Sequence, residues 1–507
     1  MKSVCVNKIL SGYFAARCGR IDNIMNNPLE CQRFVLKNLL TSAKHTQYGR
    51  QYGFDSVANY EQFAQQTPIN DYQSLYPYIE KMIKGEKNVL WRGHIKWFAK
   101  SSGTSGRKSK YIPVSHESLW NNNYQSGRDT LSLYIANRPD SKLFMGKTFS
   151  LTGALRSSDI NDKAICGDIS AFLVKGLPSW ANFFKTPPYH IALLPDWNEK
   201  LEQFAQHMKK QDVRAIAGVP SWILMIVKRI MELEQKNNLC EIWPNLELFM
   251  HGGVNFSPYR KQYEHITNKN LCFWQVYNAS EGYFATQDRL VADDMLLLVD
   301  NGVFFEFIPM DNFSTNEYAN AIPLEKVKVG KNYAIVITTN AGLWRYVIGD
   351  VVQFTSLNPY RIVIVGRTTH FVNAFGEELI VDNAEKALSI ACQKTNAIIS
   401  EYTMAPVYLS STQKAAHQWL IEFEQVPQSL AEFTQVLDEE LKNQNSDYEA
   451  KRTADILLQM PIVQQMPKGT FLKWLASKNR LGGQFKVPRL SNDRLVIEEI
   501  LSMVDNL

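Results

Sequence analysis

The chain has 507 residues, 45% hydrophobic and 21% charged, which suits a soluble globular protein of two to four domains, or one large domain with a smaller partner. Its formal net charge of +5 is small for that length, and no Lys/Arg block or zinc-finger spacing goes with it, so nothing points to a nucleic-acid partner. The seven cysteines (Cys5, Cys18, Cys31, Cys166, Cys240, Cys272 and Cys392) are scattered and form no C-x-x-C, which argues against a disulfide or metal framework and for free thiols in a reducing compartment.

The opening stretch MKSVCVNKILSGYFAARCGR (1–20) is mildly basic and amphipathic but lacks the apolar core of a signal peptide. No later segment approaches ~18 uninterrupted apolar residues, so a cytoplasmic protein without a membrane partner is expected. Apolar residues at helical spacing predict a helix over 28–47, and a second over 56–65 with Ser56 as its cap. IKWFA (95–99) reads as a strand and leads into SSGTSGRKSKYIP (101–113), after which SHESLWNN (115–122) has a capping Ser and Glu117 in the first turn of a helix. That intervening loop sets two glycines among four hydroxyl residues and follows them with three cations. Such a loop can hold a phosphate chain, since glycine lets backbone N–H groups approach and hydroxyls add donors. An ordinary solvated loop has the same composition. The G-x-x-x-x-G-K-[ST] spacing is absent, which excludes a P-loop NTPase.

DVRAIAGVPSWILMIVKRIMELEQ (212–235) predicts a strand, a Gly-Val-Pro turn and a helix from Ser221. LELFMHGG (246–253) and LCFWQVYNASEG (271–282) each predict a buried strand that ends in a polar, small-residue loop, the place where open α/β sheets bind ligands. MLLLVDNGVFFEFIP (295–309) predicts a hairpin turning at Asp300-Asn301-Gly302, and YAIVITTNAGLWRYVIGDVVQF (333–354) repeats that logic around Asn340-Ala341-Gly342. From about residue 371 the texture changes to helix 381–394, strands 399–409 and 417–424 and helix 429–445, a compact α+β unit with no Pro/Gly-rich linker before it. No internal repeat or low-complexity segment interrupts the chain.

Singly, the downstream loops are bland: Glu281 in YNASEG (277–282) reads as a solvated turn residue, WRYVIGD (344–350) as a strand closing on an Asp-led turn, and GQFKVPR (483–489) as an exposed basic loop. In order along one chain they are not. SSGTSGRKSKYIP, YNASEG, WRYVIGD, GRTTHF (366–371) and GQFKVPR together resemble the acyl-adenylate-forming enzymes. More narrowly the chain resembles the auxin-responsive (Gretchen Hagen) acyl-acid amido synthetases of the bacterial type. The likeness continues through AGVPSW (217–222), HGGVNFSPYR (251–260), NAGLWRY (340–346), FGEELI (375–380) and LGGQFKVPRLSNDR (481–494).

That resemblance implies an α/β fold: a large N-terminal adenylate-forming domain over 1–370, made of α/β sheets plus a β-barrel-like part, and a smaller mobile α+β lid domain over 371–507. It implies ATP and Mg²⁺, a carboxylic acid and an amino acid as substrates, and a monomer or weak homodimer. Ser101, Ser102, Gly103, Thr104 and Ser105 match the family's phosphate loop, and Lys110 its lysine, with Lys108 close enough in sequence to compete. Tyr277 falls beside adenine, Ser280 at the phosphate and Glu281 at the magnesium, a hard ion that takes oxygen ligands. Gly252, Gly253 and Val254 match the strip on the other adenine face. Asp350 matches the ribose-binding carboxylate, and Arg367 the arginine near ribose and phosphate. Lys486 matches the lysine that stabilises charge at the α-phosphate during adenylation, a task for a compact ammonium on a long stem.

Two departures, Asn278 in place of a small residue and Val347 where plant members often carry Arg, caution against importing plant substrates. The acid pocket has no readable motif. Residues around 124–134, 150–156 and 217–226 are candidates by topology, and Trp222 reads more readily as core. A thiol acceptor, as in acyl-CoA ligases, and a non-catalytic nucleotide-binding module are the alternatives. The joint presence of Glu281, Asp350, Arg367 and Lys486 argues against the second.

Overall fold

The apolar runs of the first 370 residues assemble chiefly into one twelve-stranded sheet. In spatial order its strands are Ile322–Pro323, Val303–Pro309, Asn332–Thr339, Tyr346–Leu357, Tyr360–Arg367, Met295–Leu297, Gly282–Thr286, Cys272–Ala279, Leu248–His251, Val213–Gly218, Lys147–Ser150 and Lys185–Thr186. The structure, a computed structural model, describes residues 2–505 apart from 102–109, 154, 158–160, 162, 195, 254–255, 269–270, 311–319, 369–370, 373–378, 408–414, 446–447, 450–451, 453–457, 479, 482–485 and 492.

Cys272–Ala279 is the seam of this sheet. On one side it pairs parallel with Leu248–His251, and the parallel pairing continues through Val213–Gly218 and Lys147–Ser150 to Lys185–Thr186. On the other side Gly282–Thr286 turns straight back and pairs antiparallel. Parallel neighbours need crossovers, and here helices supply them. Pro220–Glu234, for example, follows Val213–Gly218 with proline at its first position, where a missing N–H costs nothing. The parallel strands therefore deliver their C-terminal loops to one edge, among them Leu151-Thr152-Gly153, Val219, Gly252-Gly253 and Ser280-Glu281. A separate four-stranded sheet runs Lys110–Val114, Trp97–Ser101, Ile165–Gly167, Leu155–Ser157.

The chain divides into two compact units. The first, Met1–Val254, Thr267–Ile348 and Val352–Val363, holds most of both large sheets. The second comprises Asn255–Ile266, Gly349–Val351 and Ile364–Leu507. In it the strands Ile398–Val407, Ala416–Gln425 and Ile462–Met466 form a three-stranded sheet. The helices Val381–Thr395 and Leu430–Gln444 share with it a core of fully buried Trp419, Tyr402, Phe433 and Leu437.

Three local expectations change. The two apolar runs of 295–309 are strands but do not pair: Met295–Leu297 lies between Gly282–Thr286 and Tyr360–Arg367, whereas Val303–Pro309 lies between Ile322–Pro323 and Asn332–Thr339. Side chains capture the backbone of the turn that a hairpin would have closed. Gln32 donates to the carbonyls of Val299 (2.6 Å) and Val303 (2.9 Å) and accepts from Phe305 N, while Asn122 donates to the Asn301 carbonyl (2.9 Å). The second run, 333–354, does place Asn332–Thr339 beside Tyr346–Leu357. The helix expected from Ser56 begins at Tyr60, because Asn59 is the residue whose side chain accepts from an N-terminal amide, that of Gln62 at 3.0 Å. The helix over 28–47 stops at Ala43, and Thr46 caps a separate short one, Gln47–Gln51.

Candidate functional site

At the seam, the chain leaves Cys272–Ala279 through Ser280 and Glu281 and re-enters the sheet at Gly282. Asn122 fixes this reversal. Its amide accepts from Tyr283 N at 2.8 Å and donates to Tyr283 O at 2.9 Å, meeting both backbone groups of one residue. Ser280 is buried and Glu281 half-buried. Tyr277 is 4% exposed, with its ring edge-to-face on Phe284 at 5.0 Å, so a rigid aromatic stands just before the acidic turn.

Gly252 and Gly253 have different reasons to be glycine. A Cβ on Gly252 would sit 2.5 Å from the carbonyl of Val276 and 3.2 Å from Asn278 Oδ1, so the loop passes hard against the seam strand. Gly253 has φ +82°, a left-handed conformation that side chains resist. In the four-stranded sheet, Lys110 carries its ammonium over the faces of Tyr72 and Tyr346, 5.7 and 5.9 Å from the ring centroids, and 3.4 Å from Tyr346 Oη. These residues belong to the first unit.

In the second unit, Asp350 and Arg367 face each other across neighbouring strands, with Arg367 Nε 2.8 Å from Asp350 Oδ1. Gly349, at φ +93°, lets the chain bend there, and its carbonyl accepts from Thr368 N at 2.7 Å. Lys486 joins them. The residue as a whole is exposed, but dense packing around the ammonium pushes its pKa down to about 8; Arg367 acts in the same direction and Asp350 against it. The segment carrying Lys486 is pinned to the strand Ile398–Val407: Met404 N donates to Arg489 O (2.9 Å), Ser491 N to Met404 O (3.1 Å) and Thr403 Oγ1 to Pro488 O (2.6 Å).

The structure thus groups Tyr277, Ser280, Glu281, Gly252 and Gly253 at one sheet edge and brings Asp350, Arg367 and Lys486 together. Ser101 ends the strand Trp97–Ser101. Ser102, Gly103, Thr104, Ser105, Lys108 and Val254 lie outside the described residues. Trp222 is buried. Sequence reasoning missed Asn122, whose role rests on partners 161 and 179 residues away and leaves no local signal. As a magnesium ligand Glu281 fits: Mg²⁺ characteristically takes one or two carboxylates and completes its shell with phosphate oxygens and water. A half-buried carboxylate beside a buried serine hydroxyl is such a donor.

Family profiles cover most of the chain. The GH3 family N-terminal domain matches residues 17–272, its central domain 296–367 and its C-terminal domain 382–495. Indole-3-acetic acid-amido synthetase GH3.5 of Arabidopsis thaliana is 23% identical over 96% of this chain and 92% of its own. Indole-3-acetic acid-amido synthetase GH3.8 of Oryza sativa subsp. indica is 21% identical over the same shares, 96% and 92%. Among solved structures, the acyl acid amido synthetase AtGH3.15 in complex with 2,4-DB superposes with a TM-score of 0.80 at 18% identity, covering 96% of each chain. A 2-hydroxyisobutyryl-CoA ligase in its postadenylation state, in complex with 2-HIB-AMP, superposes with a TM-score of 0.59 at 14% identity over 93% of this chain and 91% of its own. Both likenesses are of fold: that of adenylate-forming ligases with a C-terminal domain.

Proposed function

The chain belongs to the GH3 family, and from that premise we propose that it is an AMP-forming ligase that activates a carboxylic acid with ATP and passes the acyl group to the amine of an amino acid. The observation that carries this reading is the meeting of Asp350, Arg367 and Lys486. A carboxylate able to accept from two ribose hydroxyls, a guanidinium and an ammonium form a set suited to holding a nucleotide and to charge that develops at its phosphate.

A carboxylate oxygen is a poor leaving group, whereas AMP is a good one, so the acid must first be joined to the α-phosphate with loss of pyrophosphate. In that step Asp350 holds the ribose, Tyr277 and the Gly252-Gly253 strip flank the base, and Ser101 to Ser105 with Lys110 hold the outer phosphates. Lys486 supplies positive charge where negative charge grows on the α-phosphate. Ser280 meets the phosphate, and Glu281 would hold Mg²⁺, which when bound neutralises phosphate charge. The amine then attacks the activated carbonyl and AMP departs. In this reading residues 1–370 bind ATP and acid, residues 371–507 act as the lid, and the protein is a cytoplasmic monomer or weak homodimer.

Incubation with ATP, Mg²⁺, a panel of carboxylic acids and hydroxylamine tests the first step. Acid-dependent pyrophosphate together with hydroxamate is expected. Absence of both across a broad panel would count for a nucleotide-binding module instead. Replacing hydroxylamine by amino acids or coenzyme A then separates an amide synthetase from a thioester synthetase.

A further inference from the structure

Asp168 occupies the N-cap position of the helix Ile169–Lys175 and does not cap it. An aspartate there usually accepts from the first amides of the helix. Here only its carbonyl serves the helix, accepting from Ala171 N at 3.0 Å. The carboxylate turns instead toward Gly153, where Oδ2 lies 1.2 Å from the position a Cβ would take, so residue 153 has to be glycine. Among the described residues no hydrogen-bond donor reaches this half-buried carboxylate. Burial raises its pKa to about 6, with Lys200 and then Lys100 opposing. Lys200 is 4% exposed and donates to the Thr152 carbonyl at 2.6 Å, which ties down the loop that contains Gly153; burial lowers its own pKa to about 8.

Two sheets deliver this carboxylate to the ligand edge. Trp97–Ser101 and Ile165–Gly167 are parallel, with Ala99 opposite Gly167, so Asp168 emerges beside Lys100, one residue before Ser101 opens the phosphate loop. Gly153 follows the strand Lys147–Ser150, whose parallel neighbour Val213–Gly218 ends at Val219; the Gly252-Gly253 and Ser280-Glu281 loops follow the next two strands of the same sheet. A carboxylate released from its cap and flanked by two lysines is built to receive a cation that also carries an anion. An α-amino acid is such a molecule.

We propose that Asp168 receives the ammonium group of the acceptor amino acid and takes one proton from it, so that a neutral amine attacks the acyl-adenylate. This rests on the ligase reading above. The proton passes from R–NH₃⁺ to the Asp168 carboxylate, and the nitrogen lone pair forms the C–N bond to the acyl carbon. The C–O bond to the adenylate breaks, AMP leaves with its electron pair, and the second nitrogen proton goes to water. Lys100 and Lys200 are the charged groups that face Asp168 from the neighbouring strand and helix.

The test compares Asp168→Asn and Asp168→Ala with the unaltered protein in three assays across pH: acid-dependent ATP–pyrophosphate exchange, amide formation with amino acids, and hydroxamate formation with hydroxylamine. Hydroxylamine is largely uncharged at neutral pH and needs no base. Exchange and hydroxamate formation should stay within about threefold, while amide formation falls about a hundredfold. The rise in amide formation through about pH 6 should disappear with the carboxylate. Equal losses with amino acid and hydroxylamine, an unchanged amide rate, or variants that lose exchange or cooperative melting would make Asp168 a structural partner of Lys200 and overturn the proposal. If the unaltered protein shows no acid-dependent exchange, the ligase reading itself fails, and this proposal with it.

Discussion

Arg345 has a left-handed backbone (φ +41°), and its guanidinium is almost wholly buried. It meets Glu306 through Nε (3.1 and 3.0 Å) and Nη2 (2.7 Å), and its Nη1 donates to the carbonyls of Ala64 and Thr67, both at 2.7 Å. Tyr60 adds a further hydrogen bond to Glu306 at 3.0 Å. Removing one partner of such a pair leaves an uncompensated charge in the core, which costs about 3–5 kcal/mol. Arg345→Met should therefore lower the urea midpoint by that equivalent, and adding Glu306→Gln should recover a large part of it. If the single and double variants are equally unstable, lost packing and not the stranded charge is responsible. The motif WRYVIGD shows what one chain read by itself reveals. Asp350 is picked out only by the order of motifs around it, since its own loop reads as an Asp-led turn. Arg345, earlier in the same motif, draws its meaning from Glu306 and from carbonyls 281 and 278 residues away, and so stays silent in the sequence.

At the scale of elements, the segment behind Lys486 is held by one residue above all. Arg489 donates to Tyr259 Oη (2.9 Å) and the Tyr402 carbonyl (3.1 Å), pairs with Glu401, and lies over the Tyr402 ring at 4.7 Å. Arg489→Met should loosen the segment and with it the position of Lys486, so the adenylation kcat should fall about tenfold while the KM for ATP barely moves. A loss confined to KM would detach Arg489 from that role. Beneath it, Glu385 accepts from Tyr402 Oη at 3.0 Å and lies 3.6 Å from Arg489, whose charge Glu401 already answers. Burial raises Glu385 from 4.5 to about 7, with Arg489 opposing. The folded state therefore holds a proton that the unfolded chain has released, and stability falls as pH climbs from about 4.5 to about 7. Glu385→Gln should flatten that slope and gain up to about 3 kcal/mol above pH 7, read from urea melts at several pH values. An unchanged slope would place the titration elsewhere. The elements themselves were legible where periodicity and capping decide them, as in 381–394 and 429–445. The pairing of 295–309 was not, because Gln32 and Asn122, remote in sequence, take the hydrogen bonds of its turn.

Over the whole molecule, the legible part was the order of motifs, since nucleotide chemistry demands particular residue types at the ends of particular strands. The acid pocket left no motif in the sequence, and Trp222, near one of its candidate stretches, is buried as core residues are. Asp168 was silent for a related reason: an aspartate before a helix reads as a cap, and only the fold shows the carboxylate turned away. The same distinction between holding and reacting separates Asp350 from Lys486 in a measurement on the intact chain. A ligand that binds only the folded state stabilises it by about 2.7 kcal/mol at a hundred times its Kd, so ATP with Mg²⁺ should raise the Tm. Asp350→Asn removes a charged acceptor for ribose and should shrink that rise, with ATP affinity falling about tenfold. Lys486→Ala should leave the rise nearly intact and yet cut pyrophosphate formation about a hundredfold, because an ammonium that acts on charge developing at the α-phosphate contributes to the transition state and little to the ground state. The unaltered protein should also lose adenylation rate as pH rises through about 8, where Lys486 gives up its proton. If Lys486→Ala weakens the ATP-dependent rise in Tm as much as it slows pyrophosphate release, the lysine binds ATP and does not act selectively on the reacting phosphate.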